Sequence, residues 1–309
     1  MRKSAWIWIF SFSLCLTFCQ QAHAQYGPTL SQYMFNGLIL NPAYAGSGKV
    51  SAMNLSYRNQ WTGFSGAPVT QILSGHTPLK GSPIAIGGML TNEEIGVNSD
   101  LRVMGMASYR LEQQDGSFQF GLGAGMGISQ SRWSEVITDE QDDLLFQGSD
   151  RSLIRPIFST GVLYETKTWY AGYSVPSLLS HEYVNDEQLR THFSPGDIEH
   201  NLTGGWAKSI GRGVVLKPSF LLRSIPNASV QMDINANLIF QDRLWTGLSL
   251  RMDRSVVAML EYQINHQFRI GYAYDYGLSK LYSYTIGSHE IMLIWQKKRR
   301  ALARSPRYF

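Results

Sequence analysis

The side chains with the greatest catalytic potential in this sequence are six histidines beyond residue 24. They are His76, His181, His192, His200, His266 and His289. None lies in an HExxH pair, no two are at metal-ligand spacing, and no GxSxG element surrounds a serine. His289 lies at the start of the last predicted strand, where a hydrogen-bonded histidine at a rim is favoured over a catalytic one. The sequence therefore predicts a protein without enzymatic activity, cofactor or metal centre.

An acidic stretch between residues 135 and 150 is a second candidate, because carboxylate oxygens are ligands for calcium. Its carboxylates are Glu135, Asp139, Glu140, Asp142, Asp143 and Asp150. Their spacing does not fit an EF-hand, and no glycine occupies the turn position of that motif. A solvated surface loop is therefore favoured, and calcium binding by Glu135–Asp150 stays open.

Basic residues are concentrated at the end of the chain. The formal net charge of +4 includes two cations in residues 1–24 and six in residues 297–309, so the region between carries a net charge of −4. An acidic body argues against a uniformly basic, nucleic-acid-binding surface. The tail is predicted to bind a partner or inner-leaflet phosphates, and a loosely ordered solvated end is the alternative. Its candidate binding residues are Lys297, Lys298, Arg299, Arg300, Arg304, Arg307 and Phe309.

Residues 1–24 are predicted to be a cleaved export signal. A basic pair at positions 2 and 3 precedes an apolar run from Ala5 to Phe18, and Ala22-His23-Ala24 forms an A-x-A cleavage site. The alternative is a membrane anchor helix, but the apolar run is shorter than the roughly 20 residues that span a bilayer. Both cysteines lie in this segment, so the mature chain has no thiol for disulfides, metal sites or nucleophilic catalysis.

The elements that must hold these residues are β-strands. From Ala228 to Phe240, apolar residues alternate with Ser, Gln, Asp and Asn, which places the apolar set on one face of a strand. The predicted lipid-facing residues of that strand are Val230, Met232, Ile234, Ala236 and Leu238. The glycines at positions 121, 123, 125 and 127 alternate with larger apolar residues, so they indicate small lumen-facing positions and not a phosphate-binding loop.

Fourteen such segments are predicted, an even number that is typical of a transmembrane antiparallel β-barrel. They are Lys49–Asn59, Ala67–Thr77, Ser82–Thr91, Leu101–Leu111, Ser117–Ile128, Ile157–Glu165, Thr168–Val175, Glu199–Ile210, Val214–Arg223, Ala228–Phe240, Arg243–Met252, Ser255–Ile264, Gln267–Tyr276 and Gly287–Gln296. Every even-numbered connection is tight, whereas long connections, including Ser129–Pro156 and Pro176–Ile198, are odd-numbered. Outer-membrane barrels have short periplasmic turns and longer outer loops, so the fold class is all-β, a barrel of about fourteen strands over residues 49–296.

Residues 25–48 lack this alternation. The segment contains a short apolar run that is interrupted at Pro42. It is predicted to form either a plug inside the barrel or an ordinary periplasmic lead-in. The residues proposed to contact the lumen are Tyr33, Phe35, Asn41, Pro42 and Tyr44.

Four blocks of the chain resemble the PorP/SprF family of the type IX secretion system in Bacteroidetes. They are QYMFNGLILNPAYAGS (Gln32–Ser47), YRNQWTGFSGAPVTQ (Tyr57–Gln71), YDYGLSKLYSYTIGSHEIML (Tyr274–Leu293) and the terminal PRYF (Pro306–Phe309). The resemblance implies an outer-membrane barrel that works with the secretion and gliding machinery. It also implies export or surface attachment of large adhesin-like cargo.

Three functions follow as hypotheses. The first is a non-enzymatic secretion component that binds proteins of the machinery and its cargo, with outer-membrane lipid around it and a periplasmic peptidoglycan-linked protein as a further candidate partner. The second is a FadL-like channel for hydrophobic small molecules, although the chain looks short for that family. The third, a barrel hydrolase, has no supporting set of residues in the sequence.

Overall fold

The computed structural model describes residues 30–135, 150–185, 188–226, 230–252, 255–278 and 285–297. Within them the chain forms seventeen strands and several short 3-10 turns. The strands are β1 (Ala52–Asn59), β2 (Val69–Pro78), β3 (Ile84–Ile95), β4 (Asn98–Glu112), β5 (Gly116–Ser131), β6 (Arg151–Thr166), β7 (Trp169–Val175), β8 (Ser180–Asn185), β9 (Gln188–His192), β10 (His200–Trp206), β11 (Lys208–Gly211), β12 (Val214–Ser224), β13 (Gln231–Phe240), β14 (Leu244–Arg251), β15 (Ser255–Gln263), β16 (Phe268–Gly277) and β17 (Ser288–Gln296). No helix among the described residues is long and apolar enough to cross a membrane.

The wall is a closed antiparallel barrel of fourteen strands, which confirms the predicted fold. From β1 to β7 and from β12 to β17 each strand pairs with the next along the chain, β1 pairs with β17, and β10 pairs with both β7 and β12. β10 and β11 are one wall strand that is interrupted at Ala207, because both pair with β12. β8 and β9 form a separate hairpin in the connection between β7 and β10.

Side chains alternate between the two faces of this wall as predicted. In β13, Ile234 is 52% exposed on the outer face, whereas the neighbouring Asp233 and Asn235 are buried on the inner face. Met232, Ala236 and Leu238 share the outer face, so the lipid-facing set is confirmed for the residues in this strand. Closure pairs the backbone groups of every strand, which allows an apolar outer face with a polar interior.

The two ends of the barrel differ. At one end the strands are joined by tight turns, such as Gln241-Asp242 between β13 and β14, and at the other end lie the longer connections. We call these the tight-turn end and the loop end. Because short turns are periplasmic in outer-membrane barrels, the tight-turn end is the periplasmic one.

One part of the wall is taller than the sequence predicted. β3 to β6 contain 12 to 16 residues, and β6 begins at Arg151, where the sequence analysis placed a loop from Ser129 to Pro156. That loop prediction was wrong because the apolar residues Leu153 and Ile154 lie side by side and interrupt the alternation of the sequence, although Ile154 continues the outward-facing set and is 65% exposed. A shallow outer groove of about 340 Å³, lined by residues that include Asn92 and Gln130, lies nearby.

Candidate functional site

The interior of the barrel contains its own amino-terminal segment. We call residues 30–49 the lumen segment. It consists of four consecutive 3-10 turns, Tyr33–Phe35, Gly37–Ile39, Pro42–Tyr44 and Ser47–Lys49. It begins at the loop end and descends to the tight-turn end, where β1 starts at Ala52. Its side chains and backbone contact strands on opposite sides of the wall.

A buried charged cluster fixes the start of the lumen segment near the loop end. The Glu290 carboxylate accepts hydrogen bonds from the backbone N–H groups of Ser31 at 2.6 Å and Gln32 at 3.0 Å. Arg58 lies between two carboxylates, 2.6 Å from Asp275 and 3.3 Å from Glu290. Arg58, Asp275 and Glu290 are each no more than 2% exposed. Such a cluster is stable only because its charges are paired and hydrogen-bonded.

A second arginine extends this cluster toward β13. Arg251 donates to the backbone carbonyl of Leu30 at 2.9 Å and lies 3.2 Å from the Asp275 carboxylate. It also lies 3.3 Å from Asp233. The Ser31 hydroxyl donates to Asp275 at 2.7 Å. Five strands, β1, β13, β14, β16 and β17, therefore contribute charged groups to one anchor.

The middle of the lumen segment is fitted into the wall at β5, β6 and β7. The Asn41 amide donates to the carbonyl oxygens of Val162 and Tyr173, and its Oδ1 accepts from the Ala43 N–H at 2.8 Å. The last contact caps the turn that begins at Pro42. This approach requires glycine in the wall, because a Cβ at Gly121 would overlap the backbone of Ala43 and a Cβ at Gly161 would overlap the Asn41 amide.

Aromatic residues of the lumen segment fill the space between the walls. Tyr33 is buried and its hydroxyl accepts from Asn235 at 2.6 Å. Tyr44 packs edge-on against Tyr170, with ring centroids 6.3 Å apart. Burial raises the pKa of both Tyr33 and Tyr44 above the usual range of the phenol, so both hydroxyls stay protonated. The Phe35 ring faces β12, where its centroid lies 5.9 Å from the Lys217 ammonium nitrogen.

The lower part of the lumen segment is held by weaker polar contacts. The Ser47 hydroxyl donates to Glu165 at 2.9 Å, and the Gly46 N–H donates to His76 Nδ1 at 3.1 Å. Lys49 forms an exposed ion pair with Glu112 at 2.6 Å. All five lumen residues named from the sequence lie in this segment, whose contacts run from Glu290 near the loop end to Glu112 at the tight-turn end.

The other predicted sites are not brought together. Lys297 is exposed beyond β17, and the remaining tail residues, 298–309, lie outside the described residues. Of the acidic stretch, Glu135 pairs with Arg132, and hydrogen bonds from Ser134 lower the pKa of the exposed Asp150. Residues 136–149 lie outside the described part of the chain. His289 faces outward and bonds the Tyr272 hydroxyl at 2.6 Å, which confirms a hydrogen-bonded rim histidine.

The charged cluster was missed by sequence reasoning. Arg58, Asp275 and Glu290 each occupy an alternating polar position of a strand, and each looks like an ordinary lumen residue there. A possible signal is that all three lie one to three residues from the loop end of adjacent strands, β1, β17 and β16. Among the described residues, no group of three or more His, Cys, Asp or Glu side chains is arranged to hold a metal ion.

Comparisons with known proteins give one family. The sequence model of the family described as type IX secretion system membrane protein PorP/SprF matches residues 22–295. A search of curated proteins found no match.

Solved structures with a similar shape include outer membrane protein Omp33 of Acinetobacter baumannii, at 7% identity over 81% of this chain and 100% of that one, with a TM-score of 0.47. The toluene transporter TodX of P. putida is 12% identical over 86% of this chain and 94% of that one, also with a TM-score of 0.47. These sequence identities and TM-scores are too low to support an argument about function.

Proposed function

Since the chain belongs to the PorP/SprF family of type IX secretion system membrane proteins, we propose that it supports export or surface attachment of large adhesin-like cargo through protein–protein contacts. The chain is an outer-membrane barrel that works with the secretion machinery. In the proposed role it is not an enzyme, and its contacts with machinery and cargo are made at the two ends of the barrel.

The observation that carries this proposal is that the lumen is occupied. The lumen segment contacts β14, β16 and β17 through Leu30 and Ser31 and reaches β6 and β7 through Asn41. Because this segment contacts strands on opposite sides of the wall, we expect no path for a folded adhesin beside it. Cargo is therefore expected to bind the barrel from outside the lumen, and residues 30–49 act as a plug that keeps the barrel closed to large solutes.

The tail is proposed as the periplasmic contact. β17 ends at Gln296 on the tight-turn end, which favours a periplasmic tail. The six cations of the tail favour an acidic partner, and a peptidoglycan-linked periplasmic protein is the candidate. Residues 1–24 are proposed to be removed on export, after Ala24.

A FadL-like channel for hydrophobic compounds is the second candidate, and the lumen chemistry opposes it. Inner-face residues at mid-height include Ser56, Ser74, Asn235 and Ser249, all buried and polar. An apolar compound would gain little binding free energy from such groups. Sites for hydrophobic ligands are lined mainly by apolar side chains.

Deleting the gene in its native bacterium tests the proposal against the channel. We expect loss of the large adhesin from the cell surface, measured by surface immunolabelling, and restoration by the intact gene. Growth on hydrophobic compounds is expected to be unchanged. Normal adhesin display with a loss of hydrophobic uptake would overturn the proposal in favour of the channel.

The tail is tested by neutralising its first four cations. Changing Lys297, Lys298, Arg299 and Arg300 to Gln is expected to leave barrel abundance normal and to reduce co-purification of a periplasmic partner. Exposed attractions are screened beyond about 8–10 Å at physiological salt, so added salt should weaken the intact complex. As a matched control, four exposed cations at the same end of the wall, Lys167, Lys208, Arg212 and Arg243, are changed to Gln. Wild-type co-purification from the tail variant would show that the tail is only a solvated end.

A further inference from the structure

The outward face of β2 to β6 changes from apolar to polar toward the loop end. Strand register places its outward side chains in rows across the sheet. One row is wholly apolar and consists of Leu73, Leu90, Val103, Met126 and Pro156. The next row toward the loop end consists of Gln71, Asn92, Leu101, Ile128 and Ile154. The row after that consists of Val69, Glu94, Ser99, Gln130 and Ser152.

The wall formed by β13 to β16 differs from this face within its described strands. Its outward row near the loop end consists of Ile234, Leu250, Val256 and Tyr276. All four are apolar or aromatic, and Leu250 and Tyr276 are more than half exposed. Polar rows near the loop end are therefore a feature of β2 to β6 and not a general property of the outward face.

The outer groove lies in the two rows that contain polar residues. It is lined by Asn92, Glu94, Ser99, Leu101, Ile128, Gln130 and Arg132. Successive rows are two residues apart, about 6.6 Å along a strand, and the headgroup region on each side of a bilayer is about 5–7 Å thick. Because the wholly apolar row contacts acyl chains and the loop end is the outer end, the groove lies level with the headgroups of the outer leaflet.

The lining of the outer groove suits a sugar that is attached to acyl chains. Leu101 and Ile128 give it an apolar side that continues the lipid-facing row. Asn92 and Gln130 give it amides, which both donate and accept hydrogen bonds and so match the hydroxyl groups of a sugar. The Asn92 amide already donates to the Glu94 carboxylate at 3.1 Å, which orients both side chains in the groove.

We propose that the outer groove binds the sugar headgroup of an outer-leaflet glycolipid, whose acyl chains lie on Leu90, Val103 and Met126. A lipid is the occupant that the position favours, because the groove continues the lipid-facing surface of the same strands without a break. Its volume of about 340 Å³ accommodates part of a headgroup. This site goes beyond the role in secretion and does not depend on it.

The test uses native mass spectrometry of the purified full-length barrel in detergent with a lipopolysaccharide that carries only its core sugars. Wild-type barrel is expected to retain one such molecule, and Gln130→Ala is expected to lower the retained fraction about three-fold, as loss of one net hydrogen bond would. Gln71→Ala is the matched control, because Gln71 is also an exposed outward glutamine but does not line the groove. Equal retention by the two variants, or none by folded wild-type barrel, would overturn the proposal.

Further measurements separate the sugar from the rest of the lipid and from other occupants. Both variants are compared at a normal folded fraction, which heat-modifiability gels establish. Excess phosphatidylethanolamine, which has acyl chains and a phosphate but no sugar, should not displace the glycolipid, and displacement would overturn the sugar site. A dimer in the wild-type spectrum that Gln130→Ala removes would overturn it in favour of a second copy of this chain. Because no cargo or machinery is present, failure of this assay leaves the secretion proposal untouched.

Discussion

The lumen segment meets two unlike walls. Against β5, β6 and β7 it is fitted closely: Gly121 and Gly161 leave room for its backbone and side chain, and Asn41 uses its side-chain hydrogen bonds there. Against β15 and β16 it packs with Met34 and Phe35 on Val257, Met259 and Ala273, and buried atoms of Asn237 and Glu261 in this wall have no hydrogen-bond partner. The first wall therefore holds the segment by shape and by hydrogen bonds to Asn41, whereas the second holds it by apolar packing and leaves some of its own polar atoms unpaired.

Removal of the loop-end anchor should have the largest effect. Glu290→Ala leaves the Ser31 and Gln32 N–H groups without their acceptor and Arg58 with one of its two carboxylates, and breaking a buried pair costs about 3–5 kcal/mol. The measurement is urea unfolding of the barrel in lipid vesicles, followed by tryptophan fluorescence. In the control, Glu112→Ala, the ion pairs of an exposed carboxylate with Lys49 and Arg110 are lost, and such pairs are worth about 0–1 kcal/mol each. Similar losses would show that the cluster is no anchor.

The two buried asparagines give the next contrast. Asn41→Leu removes two hydrogen bonds to the fitted wall and one to the Ala43 N–H and leaves buried partners unpaired, so about 2–4 kcal/mol of unfolding free energy should be lost. Asn237→Leu removes an amide without partners, and its change should stay below about 1 kcal/mol. Both are measured by the same urea titration. An equal cost at both positions would contradict the difference between the two walls.

Filling a glycine position tests the shape of the fitted wall alone. Gly161→Ala adds a methyl group where the Asn41 amide lies, and overpacking of this kind costs about 1–3 kcal/mol. Gly105→Ala adds the same group on the outer face, where the nearest atom would be 3.9 Å from the new carbon. The control should unfold at nearly the wild-type urea concentration. If Gly161→Ala does so too, the segment does not press against β6.

The smallest effect is expected at the tight-turn end. Ser47→Ala removes one hydrogen bond to Glu165, which contributes about 0.5–1.5 kcal/mol. Ser82→Ala, in the exposed turn between β2 and β3, is the control. Limited proteolysis from the periplasmic side should cut near residue 47 faster in Ser47→Ala only. A loss of unfolding free energy as large as that caused by Glu290→Ala, measured by the same urea titration, would contradict a stronger anchor at the loop end.

The barrel could be predicted from sequence because the same physical constraint applies to every wall strand. Each strand places apolar residues toward lipid and smaller or polar residues toward the lumen, so the alternation and the number of alternating segments predict the fold. The prediction failed at Arg151–Pro156, where the adjacent apolar residues Leu153 and Ile154 break the alternation, although Ile154 still faces outward and Arg155 pairs with Asp100 on the inner face at 2.6 Å.

The contacts of the lumen segment were harder to predict from the sequence. The lumen segment has no period, so the sequence left plug and lead-in as equal alternatives, and only contacts between residues far apart in the chain decide its position. Ser31 and Asp275 are separated by 244 residues. The glycine pattern of β5 did give a usable signal, because small lumen-facing positions indicate that something packs against them.

The position of the lumen segment is the central claim, and a cysteine crosslink tests it most directly. The Asn36 amide lies 2.9 Å from the Ser74 hydroxyl on β2. In a background with Cys15→Ser and Cys19→Ser, the pair Asn36→Cys and Ser74→Cys should form a disulfide in isolated outer membranes on mild oxidation, detected as a mobility shift in non-reducing gels. The pair Asn36→Cys and Leu73→Cys should not, because Leu73 is on the outer face. A crosslink at equal yield in both pairs, or in neither, would contradict a segment held inside the barrel.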